Sequence, residues 1–188
     1  MIKEIIFDCF GVLTQDGWTA FIKKYAKPDM MDDLRAANEL ADKGIIGYQE
    51  FLHRVSNITG TPEITSHQLV TSSLHPNEEV FALVHKLKAN YQLGIISNVG
   101  SPLGGYFPDG YLNDFTVQTL SFEVGVIKPS PEIYRLHLQK SGFLPDEAIF
   151  IDDRLTNCDA AKESGLHSVL FQGVDQLLSD LRVLRVNL

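Results

Sequence analysis

The sequence predicts an α/β protein, with a parallel sheet covered by helices on both faces and a helical insertion. Three observations lead there. Short apolar segments alternate with amphipathic ones, the pattern of strands joined by crossover helices. Strand-like segments stop after the first and resume only past residue 90, with helix signals between them. Polar residues recur just where the apolar segments end, the edge at which parallel sheets bind ligands.

Residues 4–7 (Glu-Ile-Ile-Phe) start a short apolar strand that ends at Asp8 and Gly11. From about Asp16 to His75 the pattern turns helical. The segment 33–41 is rich in alanine and charge, 48–55 is similar, and Gly44, Gly47, Gly60 and Pro62 punctuate them. This stretch reads either as several helices of one domain or as an insertion. The lack of strand segments favours an insertion at 15–75, leaving 1–14 and 76–188 as the core. From Asn77 to Lys88, Val80, Leu83, Val84 and Leu87 recur at helical spacing, with acids in the first turn and lysines in the last. Further strands are expected at Leu93–Ser97, Phe115–Thr119, Ala148–Ile151 and Ser168–Phe171. Ser130-Pro131 makes an N-cap and first turn, Gly142 a stop, and Thr156 with Asp159 a capping-box spacing.

Composition narrows the function. The 188 residues are 44% apolar and 21% charged, enough for one well-filled domain or a core with a small insertion. No apolar run approaches the roughly 18 residues of a membrane span, and the first residues do not resemble a signal peptide. Cys9 and Cys158 give little support to a disulfide, so a reducing, cytoplasmic setting is expected. The net charge of −8 argues against nucleic acid as a partner, because phosphate neutralisation needs a clustered basic face. A small anionic substrate remains compatible, since a metal ion and one lysine can reverse the field locally. Nothing in the chain specifies an oligomeric state.

Four polar features stand at the expected strand ends: Asp8, Ser97, Lys128 in the loop before the Ser130 helix, and the pair Asp152-Asp153. Each alone is unremarkable, since an Asp after a strand is commonly a cap. Adjacent carboxylates repel, however, and a divalent oxygen-seeking cation is the common remedy. Their convergence on one sheet edge would gather a nucleophile, a hydroxyl, a cation and a metal-binding pair.

The segments Phe-Asp-Cys-Phe-Gly-Val-Leu (7–13), Ile-Ser-Asn (96–98), Gly-Val-Ile-Lys-Pro-Ser-Pro-Glu-Ile-Tyr (125–134) and Phe-Ile-Asp-Asp-Arg-Leu-Thr-Asn (150–157) resemble, in order, the four motifs of haloacid dehalogenase-like hydrolases. The resemblance covers about residues 3–13 and 77–172. It implies a Rossmann-like core with a small helical cap. It also implies an Asp8 nucleophile that forms an aspartyl-phosphate, and Mg²⁺ held by Asp8, the Phe10 carbonyl, Asp153 and Asp152, the last directly or through water. Ser97 and the main chain near Asn98 would bind a phosphoryl oxygen, Lys128 would neutralise charge, and Asn157 would orient its loop.

One position departs from the pattern. Phosphatases of this family usually carry a second Asp two residues after the nucleophile, as general acid and base, and here that residue is Phe10. Such help is worth about 10²–10⁴ in rate. The favoured reading is a phosphatase of small phosphorylated metabolites that works with good leaving groups or borrows an acid. It is similar in this respect to sugar-phosphate phosphatases lacking that Asp. A 2-haloacid dehalogenase is the alternative, because halide departs without a proton. That chemistry needs no metal, though, and the Asp152-Asp153 pair would repel a carboxylate substrate. A non-catalytic scaffold is a third reading, supported by Phe10 alone.

Other residues have blander readings. Cys9 alternates away from the nucleophile and fits a core position. Cys158 lacks a nearby soft partner for a metal. The six histidines form no ligand pattern, and most are expected at the surface or its boundary. Trp18, Phe21, Ile22 and Tyr25 form a core stripe, with Trp18 also a candidate to face substrate. Arg35 is the cation of the insertion to watch, although its spacing from Asp8 does not match the carboxylate-binding arginine of dehalogenases. No role follows for the glycine-rich stretch 100–110.

Overall fold

A computed structural model describes residues 1–72 and 75–188; residues 73 and 74, in the last stretch of the expected insertion, lie outside the described residues. Five strands form one parallel sheet: β1 (Glu4–Phe7), β2 (Gln92–Ser97), β3 (Val117–Leu120), β4 (Ala148–Asp152) and β5 (His167–Leu170), in the order β3-β2-β1-β4-β5. β1 is central. Phe7 pairs with Ile95 on one side and Ile151 on the other, so the carboxyl ends of β1, β2 and β4 lie side by side. The strand order changes direction at β1, the place where open α/β sheets form their binding crevice.

Helices α1 (Gly17–Tyr25), α2 (Met31–Asp42), α3 (Tyr48–Thr59) and α4 (Glu63–Ser72) follow β1, and α5 (Glu78–Leu87) leads to β2. The later helices are α6 (Ser121–Val124), α7 (Pro131–Ser141), α8 (Leu155–Glu163) and α9 (Val174–Val183). Alternation along the strands divides the core. Ile5, Phe7, Ile95 and Ile151 pack with Leu83 and Leu87 of α5 and Leu177 and Leu181 of α9, whereas Ile6, Ile96 and Phe150 pack with Ile133, Tyr134 and Ala161 of α7 and α8. The helices between β1 and α5 have a core of their own, with Phe21, Leu34, Ala37, Phe51, Leu52 and Val55. Among the described residues no helix is long and apolar enough to cross a membrane.

Local signals acted largely as their chemistry dictates. Asn77 caps α5 by accepting from the Val80 amide, Ser130 caps α7 with Pro131 in the first turn, and Gly142 ends α7 in the left-handed conformation. Two expectations need correction. α8 begins at Leu155 without a side-chain cap, so Thr156 and Asp159 form no capping box. The Asp152 carboxylate supplies the turn instead, accepting from the Arg154 amide at 2.8 Å. Phe115 precedes β3 rather than opening it. Ladder pairing starts at Val117 with Gly94, and the Phe115 ring packs edge-on to Phe7 and Phe81.

His137 is fully buried, the exception among the histidines. It sits between Thr119 Oγ1 (3.0 Å) and Glu4 Oε1 (3.2 Å), and Glu4 also accepts from Ser141 Oγ at 2.9 Å. Glu4 therefore enters an otherwise apolar strand with its polar partners supplied. Removing one member of such a buried group strands the other. His137→Leu is expected to lower stability by about 3 kcal/mol, read as a lower urea midpoint at unchanged slope. Adding Glu4→Leu is expected to recover part of the loss, measured as the coupling in a double-mutant cycle.

Candidate active site

The site grows from the aligned ends of three strands. β1 delivers Asp8, whose amide still continues the ladder by donating to the Ile151 carbonyl at 2.8 Å. β4 ends on Asp152, and the chain turns there to expose Asp153. Gly11, with φ +94°, lets the chain leave β1 in a tight turn, and a Cβ there would lie 2.5 Å from the Asp153 carboxylate. Only glycine admits that carboxylate so close to the loop after Asp8.

Lys128 ties these elements together. Its ammonium lies 2.6 Å from Asp8 Oδ1 and 2.7 Å from Asp152 Oδ2, and the side chain is buried. Asn98 fixes its main chain from both sides: the Lys128 amide donates to Asn98 Oδ1 at 2.8 Å, and Asn98 Nδ2 donates to the Lys128 carbonyl at 3.0 Å. Asp152 is held further by Asn157 Nδ2, 3.0 Å from each carboxylate oxygen. Asp8 Oδ1 also accepts from the Cys9 amide at 2.6 Å.

Burial pushes the Asp8 carboxyl up to about 7; Lys128 pulls it down and Asp152 pushes it up again. Burial works against the Lys128 charge, yet Asp8 and Asp152 more than offset it and hold its pKa above the usual lysine value. Burial and the neighbouring Asp152 also raise Asp153. Oxygens of Asp8, Asp152 and Asp153 all lie within 4.8 Å of one another. Lys128 pairs with Asp8 and Asp152 but not with Asp153, and the clustered hard oxygen donors suit a divalent cation such as Mg²⁺.

The structure sorts the expected residues. Asp8, Asn98 and Lys128 line a cleft between the sheet edge and helices α1–α3, as do Phe10 and Trp18. Trp18 also joins the expected stripe, stacked on Phe21 with ring centres 5.5 Å apart. The Phe10 ring meets Tyr106 edge-on at 5.5 Å. Asn98 spends its side chain on Lys128. Ser97 is fully buried and does not line the cleft, and its hydroxyl has no hydrogen-bond partner among the described residues. Arg35 is exposed on α2 and pairs with Asp32, and both cysteines are buried and free. In the glycine-rich stretch, Leu103 and Phe107 turn into the core and Tyr106 closes one side of the cleft.

Some cleft residues had no signal to mark them in advance. Asp16 caps α1 by accepting from the Trp18 and Thr19 amides and reaches Arg154 at 3.7 Å, joining the insertion to the loop after β4. Asp42 and Asn38 face the cleft from α2. Their positions depend on how the insertion docks, which periodicity does not reveal.

Three similarities bear on this geometry. The D-ribitol-5-phosphate phosphatase of Bacteroides thetaiotaomicron is 24% identical over 196 residues, spanning 89% of this chain and 91% of that one. A haloacid dehalogenase family enzyme of the same organism, solved with magnesium and inorganic phosphate, superposes with a TM-score of 0.75 at 25% identity, covering 90% of this chain and 93% of the other. The L-2-haloacid dehalogenase of Xanthobacter autotrophicus, solved with chloropropionic acid covalently bound, shares the fold with a TM-score of 0.64 at 18% identity, over 100% of this chain and 85% of that one. The model of the haloacid dehalogenase-like hydrolases matches residues 2–165, from the start of β1 through the end of α8. With every strand-end residue of the cleft inside that span, the chain belongs to the haloacid dehalogenase-like hydrolase family.

Proposed function

We propose that the protein is a Mg²⁺-dependent phosphatase of a small phosphorylated metabolite, with Asp8 as nucleophile. The carrying observation is the meeting of the Asp8, Asp152 and Asp153 carboxylates, the first two paired with a buried Lys128. Asp8, Asp152, Asp153 and the Phe10 carbonyl would hold the metal, which offsets the repulsion between an anionic nucleophile and an anionic substrate. Asp8 attacks phosphorus and takes the phosphoryl group as an aspartyl-phosphate, which water then hydrolyses. Lys128 holds the Asp8 oxygen in place and balances charge near the phosphoryl group, while Asn98 and Asn157 keep Lys128 and Asp152 oriented. Ser97 would meet a phosphoryl oxygen with its unpartnered hydroxyl.

Residues 15–75 act in this reading as a cap over a core of 1–14 and 76–188, moving to admit substrate and exclude water. Trp18 contacts the substrate body. Polyol and sugar phosphates are the first class to test, given the phosphatase relative. The dehalogenase reading draws on the shared fold and Phe10. The carboxylate cluster weighs against it, since it would repel a haloacid and leaves a metal site unexplained.

Hydrolysis of p-nitrophenyl phosphate is expected with Mg²⁺ and is expected to stop with EDTA. Asp8→Asn is expected to lower it at least about 10⁴-fold while leaving the circular dichroism spectrum intact. Halide release from 2-chloropropionate that persists in EDTA would overturn the reading.

Ser97→Ala separates function from folding. A buried hydroxyl without a partner costs about 1–3 kcal/mol, so the variant is expected to melt at the same temperature or higher. Its kcat/KM is expected to fall about 10²-fold or more. A melting temperature that drops with activity unchanged would assign Ser97 to packing.

A further inference from the structure

We propose that Asp42, the last residue of α2, donates the proton to the leaving group and so performs the work that Phe10 cannot. The proposal rests on the phosphatase reading.

Asp42 lines the cleft from the insertion side, while Asp8, Lys128 and Phe10 line it from the sheet edge. Its position is set by two close approaches. A Cβ on Gly100, in the loop after β2, would lie 3.2 Å from both Cβ and the carbonyl oxygen of Ala41; one on Gly44 would lie 2.3 Å from the Phe122 carbonyl. The end of α2 is thus docked against core backbone on both sides of Asp42, and a carboxyl there is held rather than swinging in solvent.

Its setting favours keeping a proton. A carboxylate at a helix C-terminus faces the negative end of the helix dipole. Its one hydrogen bond among the described residues comes from Asn38 Nδ2 at 2.7 Å, and no cation there pairs with it. Burial pushes its pKa up to about 7; the Asn38 bond, Arg154 and Lys128 pull it down, and Asp16 pushes it up. Tyr106 also faces it, its own phenol raised by burial and, in part, by Asp42.

The other cleft groups suit the task less. Asp16 is committed to capping α1 and to Arg154. Tyr48 is pushed up to about 12 by burial and is bonded to His67. A general acid works best when its pKa lies near the working pH, which leaves Asp42.

The step balances. As an Asp8 oxygen bonds to phosphorus, the ester P–O bond breaks and its electron pair stays on the leaving oxygen. That oxygen takes the Asp42 proton, giving the alcohol, the aspartyl-phosphate and an Asp42 carboxylate. When water attacks the aspartyl-phosphate, its proton returns to Asp42, the P–O bond to Asp8 breaks, and phosphate leaves.

The test compares leaving groups in the full-length protein with Mg²⁺, read as kcat/KM, which reports steps through departure of the first product. Asp42→Asn is expected to lower phenyl phosphate and ribitol 5-phosphate about 10²–10⁴-fold and p-nitrophenyl phosphate less than about tenfold. The wild-type profile on phenyl phosphate is expected to fall above about pH 7, where the Asp42 carboxyl loses its proton, and Asp42→Asn is expected to lack that limb. Phe10→Asp added to Asp42→Asn is expected to restore phenyl phosphate at least about tenfold. Equal loss on all substrates, or no loss on any, overturns the proposal. If Asp42→Asn does not fold, the wild type alone decides. Its preference for p-nitrophenyl over phenyl phosphate is expected to rise at least about tenfold from about pH 6 to about pH 8.5, and a constant preference overturns the proposal. A wild type inert on every phosphate ester with Mg²⁺ overturns the phosphatase reading as well, and that failure is recognised by appearing without any substitution.

Discussion

The ammonium of Lys128, buried between Asp8 and Asp152 at 2.6 and 2.7 Å, is the contact on which the site depends. Two carboxylates at neighbouring strand ends repel each other in a medium that screens poorly. A lysine from a third element makes their approach tolerable, and its own burial is offset by the same two charges. Around it the polar partners are specific: Asn98 holds the Lys128 main chain, and Asn157 and the Arg154 amide hold Asp152. A buried charged triad of this kind is weak evidence for stability, because desolvation consumes much of the attraction. Its value lies in orientation.

The sheet makes that orientation possible. Parallel strands paired level at Phe7, Ile95 and Ile151 bring residues distant in sequence to one edge. Apolar packing on both faces then leaves the edge little room to shift. The buried Glu4–His137 group lies at the opposite end of β1, so polar chemistry brackets an apolar middle. Apolar burial is concentrated in that middle, the edge holds a Ser97 hydroxyl without a hydrogen-bond partner among the described residues, and α2 ends on a carboxyl.

Phe10 stands on the core side of the cleft. In the place where phosphatases of this family usually carry an acid, its ring packs on Tyr106 from the glycine-rich loop and borders the cleft. The insertion reaches the same cleft through Trp18, Asn38 and Asp42. A carboxyl thus borders the cleft from the helical side as well, in a segment joined to the core by the Asp16–Arg154 pair and by the seat of Ala41 on Gly100.

The sequence by itself determined the strand-and-helix alternation, the capped starts of α5 and α7, and the strand-end positions of Asp8, Ser97, Lys128 and Asp152-Asp153. These are local properties, set by side-chain period and by the hydrogen bonds a short segment can make. Phe115 and the start of α8 depart from their local signals because tertiary partners decide them: Phe115 packs on the Phe7 and Phe81 rings, and the Asp152 carboxylate turns the chain into α8. Tertiary structure alone decided that His137 and Ser97 are fully buried, and that Asp42 and Phe10 line one cleft. Each depends on contacts between segments far apart in the chain. No local pattern encodes the charge, burial or company that such docking gives a side chain.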